Sequence, residues 1–190
     1  MVSEFPISQF RQINGTRRMA REKVMQLLVS CSSSDISWEE IFPHIVFRHF
    51  SFLEHEAEPH KLLTTEEINE LESDTRIHWE ESELDFIKEL TQYTLAETEF
   101  TDGLLERFAQ NWELERIALM DRVLLRMATA ELIHFETIPT KVTINEIIEL
   151  AKRYSTDKSN VFINGVLDAV LVELIAENKL SKSGRGLISK

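Results

Sequence analysis

Cysteine is almost missing from this chain: Cys31 is the only one in 190 residues. No disulfide can therefore close within the chain, and a reducing compartment fits that usage. Proline and glycine are also scarce, at four and five. A fold of many short strands and tight turns uses more of both, so long helices are the better expectation. No apolar run approaches the roughly 20 residues that span a bilayer. The richest, AVLVELIA at 169–176, is broken by Glu173. No stretch has the basic, apolar and small-residue order of a signal peptide. A cytoplasmic protein is the expectation.

Positive charge is in short supply too. Lys and Arg number 21 against 33 Asp and Glu, for a formal net charge of −12. The deficit is local. Residues 54–115 hold 19 acidic and 4 basic side chains, a net of −15, which leaves +3 for the rest of the chain. This balance argues against nonspecific nucleic-acid binding. It leaves room for a cationic site outside the acidic block.

Catalytic and metal-binding patterns are missing as well. HEAEPH spaces His55 and His60 by five, with Pro59 between them. A zincin needs H-E-x-x-H, which puts both imidazoles on one helical face. STDK at 155–158 matches S-x-x-K, but neither K-T-G nor S-D-N accompanies it. There is no P-loop, no G-x-G-x-x-G and no G-x-S-x-G. No enzyme, metal site or cofactor is expected.

What is present is helical periodicity in a chain 43% hydrophobic, long enough for one packed domain. Thr16 is a candidate N-cap, after which Ala20, Val24, Leu27, Leu28 and Cys31 recur at helical spacing. Arg17 and Arg21 are four apart and share a face, with Arg18 beside them. Cations at a helix N-terminus oppose the macrodipole, a conflict an anionic partner would relieve. The plainer reading is a solvated charged face. Ser37 can cap a second helix from Trp38 to about Phe52. The chain to about Thr65 is polar and irregular, and TTEEINELES at 64–73 reads as another helix start. Residues 82–112 give one or two amphipathic helices.

Residues 113–136 form the most apolar helix, with a stripe of Ile117, Met120, Leu124, Met127, Ala128, Leu132 and Phe135. Asp121 and Glu131 fall on that stripe, where a buried carboxylate needs a partner. Glu131 can be satisfied inside the fold, whereas Asp121 is free to look out at another protein. Pro139 breaks the chain. Thr143 and Glu146 make a capping-box pattern at the start of a helix through Tyr154. Ser159 can cap the last helix, which buries Ile163, Val166, Leu167, Val170, Leu171 and Leu174. Close helix packing is the expected compensation for Gly165. Phe162, at the edge of that stripe, either completes the core or offers a ring for stacking on a base. No β-sheet is expected, and the helix over 116–135 should be among the most buried.

The segment DRVLLRMATAELIHFETIPTKVTINEIIELAKRYSTDKSNVFINGVLD resembles the NusB family of bacterial transcription antitermination factors. IPTKVTINEIIELAK and FINGVLD are its most specific parts, and RRMAREKVMQLL is similar to the family's arginine-rich first helix. The resemblance implies an all-α, NusB-like fold of about seven helices in two packed sub-bundles. It implies a noncatalytic role within the RNA polymerase antitermination complex. The partners would be boxA-type single-stranded RNA and NusE, a ribosomal protein of the small subunit. By position, Arg17, Arg18 and Arg21 would face RNA, as would Asp157, Lys158, Asn160 and Phe162. Asp121 falls on an acidic position associated with NusE contact. The chain departs from the family in three places, the first being an arginine cluster shorter than the family often has. Val29 stands where a Tyr is common, and about 30 extra residues lie between Phe50 and Glu83. The division expected is a flexible arm at 1–15, a helical domain at 16–178 with an acidic insertion around 50–83, and a basic flexible tail at 179–190. Two other readings remain open: a NusE-binding scaffold that has lost RNA affinity, and a relative of the NusB-like domain that precedes some ribosomal RNA cytosine methyltransferases.

Overall fold

A computed structural model describes residues 2–4, 7–47, 51–53, 74–108 and 117–183. The helix start expected at 64–73 and the His55–His60 pair lie outside the described residues. The chain divides into two compact units, at 1–85 and 86–190. Seven helices and four short strands occur among the described residues.

The first unit opens with β1 (Val2–Glu4) and β2 (Ile7–Asn14), followed by α1 (Arg17–Ser32) and α2 (Trp38–Phe47). Strands β3 (Ser51–Leu53) and β4 (Asp74–His78) follow. β1 pairs antiparallel with β3, and β2 pairs parallel with β4. The expectation of no sheet therefore fails, although helices dominate. The reason is range: each ladder joins segments far apart in sequence, and local periodicity carries no signal for such pairing. The β2–β4 register slips between Ile7 and Gln12. At that slip the buried Ser8 hydroxyl accepts from the amides of Phe10 and Arg11, at 3.2 and 2.7 Å.

Gly15 then turns the chain into α1. A Cβ there would meet the Trp79 ring at 2.2 Å, so only glycine lets the backbone pass. The Trp79 indole N–H in turn donates to the Val46 carbonyl at 3.1 Å. One ring thus packs against the entry to α1 and bonds to the end of α2. Thr16 caps α1 as expected, its Oγ1 accepting from the Met19 amide at 3.3 Å. The helix buries Ala20, Val24, Leu27 and Leu28. Its end is marked by hydroxyls: Ser32, Ser33 and Ser34 each donate to the carbonyl four residues back. Ser37 caps α2, its Oγ accepting from the Glu40 amide at 3.4 Å. That helix stops at Phe47, short of the expected Phe52, which instead lies in β3.

The boundary between units falls within α3 (Glu81–Ala96), after Asp85. The second unit continues with α4 (Thr98–Phe108), α5 (Leu119–His134), α6 (Thr140–Tyr154) and α7 (Ser159–Ala176). α5 is the central helix, as expected. From Val123 to Leu132 every residue but Arg126 is buried. Arg126 reaches out to grip Asp102 of α4 with both arms of its guanidinium, at 2.8 and 2.5 Å. Glu131, fully buried, accepts from the Thr143 hydroxyl at 2.7 Å. The expected capping box is therefore not used. α6 begins at Thr140, after Pro139, and Thr143 inside it satisfies the carboxylate of the neighbouring helix.

α7 buries Ile163, Val166, Leu167, Val170 and Leu174 against α5 and α6, while Leu171 is half-buried. α7 is long and apolar enough to cross a membrane by length and composition alone, a test that a core helix also passes, and here its apolar face packs against α5 and α6. Gly165 corrects another expectation: it is exposed, and a Cβ there would meet nothing within 4 Å. Helix packing does not account for that glycine. Asn178, at φ 55°, closes α7 in the left-handed conformation, and the Lys179 amide bonds back to the Leu174 carbonyl at 2.8 Å. The following residues, expected as tail, turn back along the unit. Lys179 Nζ lies 3.4 Å from the centre of the Phe100 ring. Lys182 donates to the Phe135 carbonyl at 3.1 Å, and the Ser183 amide to that of Glu136 at 3.0 Å.

Candidate nucleic-acid interface

Two helix starts carry the residues expected to touch RNA, one in each unit. At the start of α1 no acidic side chain occupies the first turn. The three arginines there differ in exposure. Arg18 is exposed. Arg17 is half-buried, its Nε 3.1 Å from Glu83 Oε2 at the start of α3. Arg21 is only 2% exposed. Spacing explains the inward turn: Arg21 lies three residues before Val24, four before Met25 and seven before Leu28, so it stands on the buried face. Lys23, which sequence reasoning passed over, is also buried and donates to Gln26 Oε1 at 3.2 Å. An Arg fork suits bidentate binding of phosphate or a guanine edge, and Arg18 is the most accessible of the three.

At the start of α7 the arrangement is of another kind. Asp157 and Lys158 form an exposed turn, Asn160 is half-buried, and so is Phe162. The Ser159 amide donates to the Thr156 carbonyl at 3.0 Å and the Phe162 amide to that of Lys158 at 3.2 Å. Phe162 as a residue is neither fully buried nor exposed, between the two roles its place in the sequence allowed. Asp121, from the first turn of α5, lies beneath this turn and is 6% exposed. Its Oδ1 accepts from the Ser155 hydroxyl at 2.5 Å and its Oδ2 from Ser159 at 2.8 Å. The carboxylate therefore faces inward, contrary to the expectation that it looks out at another protein. Two hydroxyls four residues apart supply its donors, and periodicity alone could not reveal them. The structure so brings Asp121 together with the Asp157–Phe162 segment inside one unit. Among the described residues no group of three His, Cys, Asp or Glu side chains could hold a metal.

A family model described as the NusB family matches residues 18–172. The transcription antitermination protein NusB of Salinibacter ruber is 53% identical over 104 residues, 55% of this chain and 65% of that relative. Its counterpart in Chloroherpeton thalassium is 46% identical over 104 residues, 55% of this chain and 49% of the relative. The chain thus spans less than two thirds of each of these relatives. The NusB of Thermodesulfovibrio yellowstonii is 33% identical over 163 residues, 86% of this chain and 96% of its own length. Of solved structures, that of T. maritima NusB aligns with a TM-score of 0.65 at 27% identity, over 88% of this chain and 98% of the other. A structure of antitermination factors NusB and NusE in complex with dsRNA aligns with a TM-score of 0.60 at 22% identity, over 83% and 96%, a likeness of fold. The family match over residues 18–172 and the alignment along 96% of a 33% identical relative make this chain a member of the NusB family.

Proposed function

We propose that this chain is a noncatalytic transcription antitermination factor. It binds boxA-type RNA of ribosomal RNA leader transcripts together with NusE and works in the cytoplasm, within the RNA polymerase antitermination complex. The observation that carries the reading is the Thermodesulfovibrio yellowstonii relative, a transcription antitermination protein aligned over 96% of its length. The RNA contacts in this reading are Arg17 and Arg18 on α1 and Asp157, Lys158, Asn160 and Phe162 at α7, with the buried Arg21 supporting the α1 start from within. Arg18 supplies the fork and Phe162 a ring edge. A chain with a net charge of −12 is a poor binder of RNA by itself. Sharing the RNA with a second protein supports how so few cations could suffice. Labelled boxA RNA titrated with the chain, with NusE and with both tests the reading. Tight binding by the pair is expected, and no binding by the pair overturns it.

One observation favours a second reading, a NusE-binding scaffold with weak or lost RNA affinity. Arg21 is buried and Arg17 is paired with Glu83, which leaves Arg18 as the exposed member of the three. In the same titration this reading expects NusE to bind the chain while the RNA gains nothing from the pair.

A further inference from the structure

The polar cluster beneath the α6–α7 turn has no place in the reading above, because its central members do not reach the surface. Asp121 and Ser159 are 6% and 2% exposed. Asp121 accepts from Ser155 through one oxygen and from Ser159 through the other. The two serine hydroxyls are themselves 2.9 Å apart, and the Thr156 hydroxyl lies 2.8 Å from that of Ser159. A buried carboxylate needs such donors to keep its charge out of water. The donors are not placed at random. Ser155 precedes the exposed turn at Asp157 and Lys158, and Ser159 follows it. One carboxylate therefore holds both ends of the turn. Its own helix, α5, is the most buried in the unit, so the anchor point is rigid.

We propose that Asp121 is a positioning residue for RNA binding. It pins Ser155 and Ser159, fixes the turn between them, and so presents Lys158, Asn160 and Phe162 in one arrangement before RNA arrives. A turn ordered in advance loses less conformational freedom on binding, and that saving appears as affinity. The proposal rests on the RNA-binding reading above. It differs from a direct contact in what it predicts for salt. Loss of Asp121 removes no phosphate contact, so affinity should fall while its dependence on salt stays the same.

The test uses the full chain with NusE and boxA RNA at several salt concentrations. It compares Asp121→Ala, Asp121→Asn, Ser155→Ala and Lys158→Ala, with amide hydrogen exchange measured on each. Asp121→Ala is expected to weaken RNA binding about tenfold, the equivalent of ordering one or two side chains on binding. The slope of log affinity against log salt should not move. Lys158→Ala should instead make that slope shallower by about 0.7. Asp121→Asn should recover most of the affinity, because the amide still accepts from one hydroxyl and can donate to the other. The Ser159 and Phe162 amides should exchange faster in Asp121→Ala, relative to those of α5. If Asp121→Ala does not fold, Ser155→Ala gives the same signature in milder form, since Ser159 still bonds to the carboxylate. Unchanged exchange at Ser159 and Phe162 overturns the proposal. So does unchanged RNA affinity, or a loss accompanied by a shallower salt slope. A wild-type chain that binds no boxA RNA with NusE overturns the functional reading and the positioning role together, and the exchange data then tell whether Asp121 still anchors the turn.

Discussion

The starts of α1 and α7 are both built to hold a turn in front of a helix, yet they do it by opposite means. At α1 the support is apolar and lies outside the helix: the Trp79 ring packs under Gly15, and only Thr16 offers a side-chain cap. The charges there are on the arginines, and Glu83 meets Arg17 from a neighbouring helix. At α7 the support is polar and internal: a buried carboxylate collects hydroxyls from both sides of the turn. The first design keeps the charges of Arg17 and Arg18 near the surface, where salt and competing anions act on them, and turns Arg21 inward. The second keeps charge inside, where breaking it is expensive. Substitutions at α7's anchor should therefore act first on stability, and those at the exposed end of α1 on binding.

The largest effect expected is from Asp121→Lys. The substitution removes the acceptor of Ser155 and Ser159 and buries a cation among their hydroxyls. A loss of about 3–5 kcal/mol of stability is expected, the range for a broken buried charge. Denaturant unfolding measures it. A variant as stable as the wild type would mean that the cluster opens to water in solution, and the contrast with α1 would collapse. This also reverses the natural inference from an acid on a partner-contact position: any weakening of NusE binding should follow from lost folding.

Gly15→Ala probes the other start. A Cβ 2.2 Å from the Trp79 ring forces the ring or the strand to move. Overpacking of this kind costs about 1–3 kcal/mol. Near-ultraviolet circular dichroism should show the tryptophan environment change along with a lower melting temperature. A neutral result would show that the α1 entry does not depend on that contact.

The two supports also differ in how far the sequence could reveal them. The caps at Thr16 and Ser37, the buried stripe of α5 and most of the α7 core follow from residues three and four apart, and all are visible in one dimension. So was the need of Glu131 for a partner. Its partner, Thr143, is visible too, but as part of T-x-x-E, a local capping pattern, whereas the bond to Glu131 is not local. The β2–β4 ladder, the Gly15–Trp79 contact and the serines under Asp121 each join segments that only the fold brings together. At the candidate interface the structure corrects direction: the sequence expects Arg21 and Asp121 to face a partner, and both are buried. Arg21 and Asp121 point inward because each shares a face with core residues as well as with its supposed functional neighbours.

Binding effects come next in size. Arg18→Ala should leave helix content unchanged and make the salt slope of RNA binding by the pair with NusE shallower by about 0.7, the loss of one phosphate contact on a single strand. Arg21→Ala should behave differently. As a buried side chain it should lower the melting temperature and change the slope less. If the two variants had the same slope and the same stability, the distinction drawn between them from exposure would be wrong.

The smallest effect tests whether charge placed at the other end of α5 behaves like the anchor at its start. Lys182 is half-buried beside the end of that helix and donates to the Phe135 carbonyl. Burial lowers its pKa below the usual lysine value, while the nearby carboxylates of Glu131 and Glu136 oppose the shift in part. The sign follows from proton counting. Between the lowered folded pKa and the ordinary unfolded one, the unfolded chain binds more protons than the folded one, so stability from this group rises with pH. Below both values the lysine is charged in either state, and the cost of burying it is fully present. Lys182→Met removes the group. Melting temperatures of the wild type and the variant across the alkaline range below pH 10.5 should therefore converge or cross as pH rises, the wild type gaining relative to the variant. Parallel curves would mean that the carboxylates compensate the burial in full. Lys182 would then balance Glu131 by charge, at the opposite end of α5 from a carboxylate that accepts from two hydroxyls.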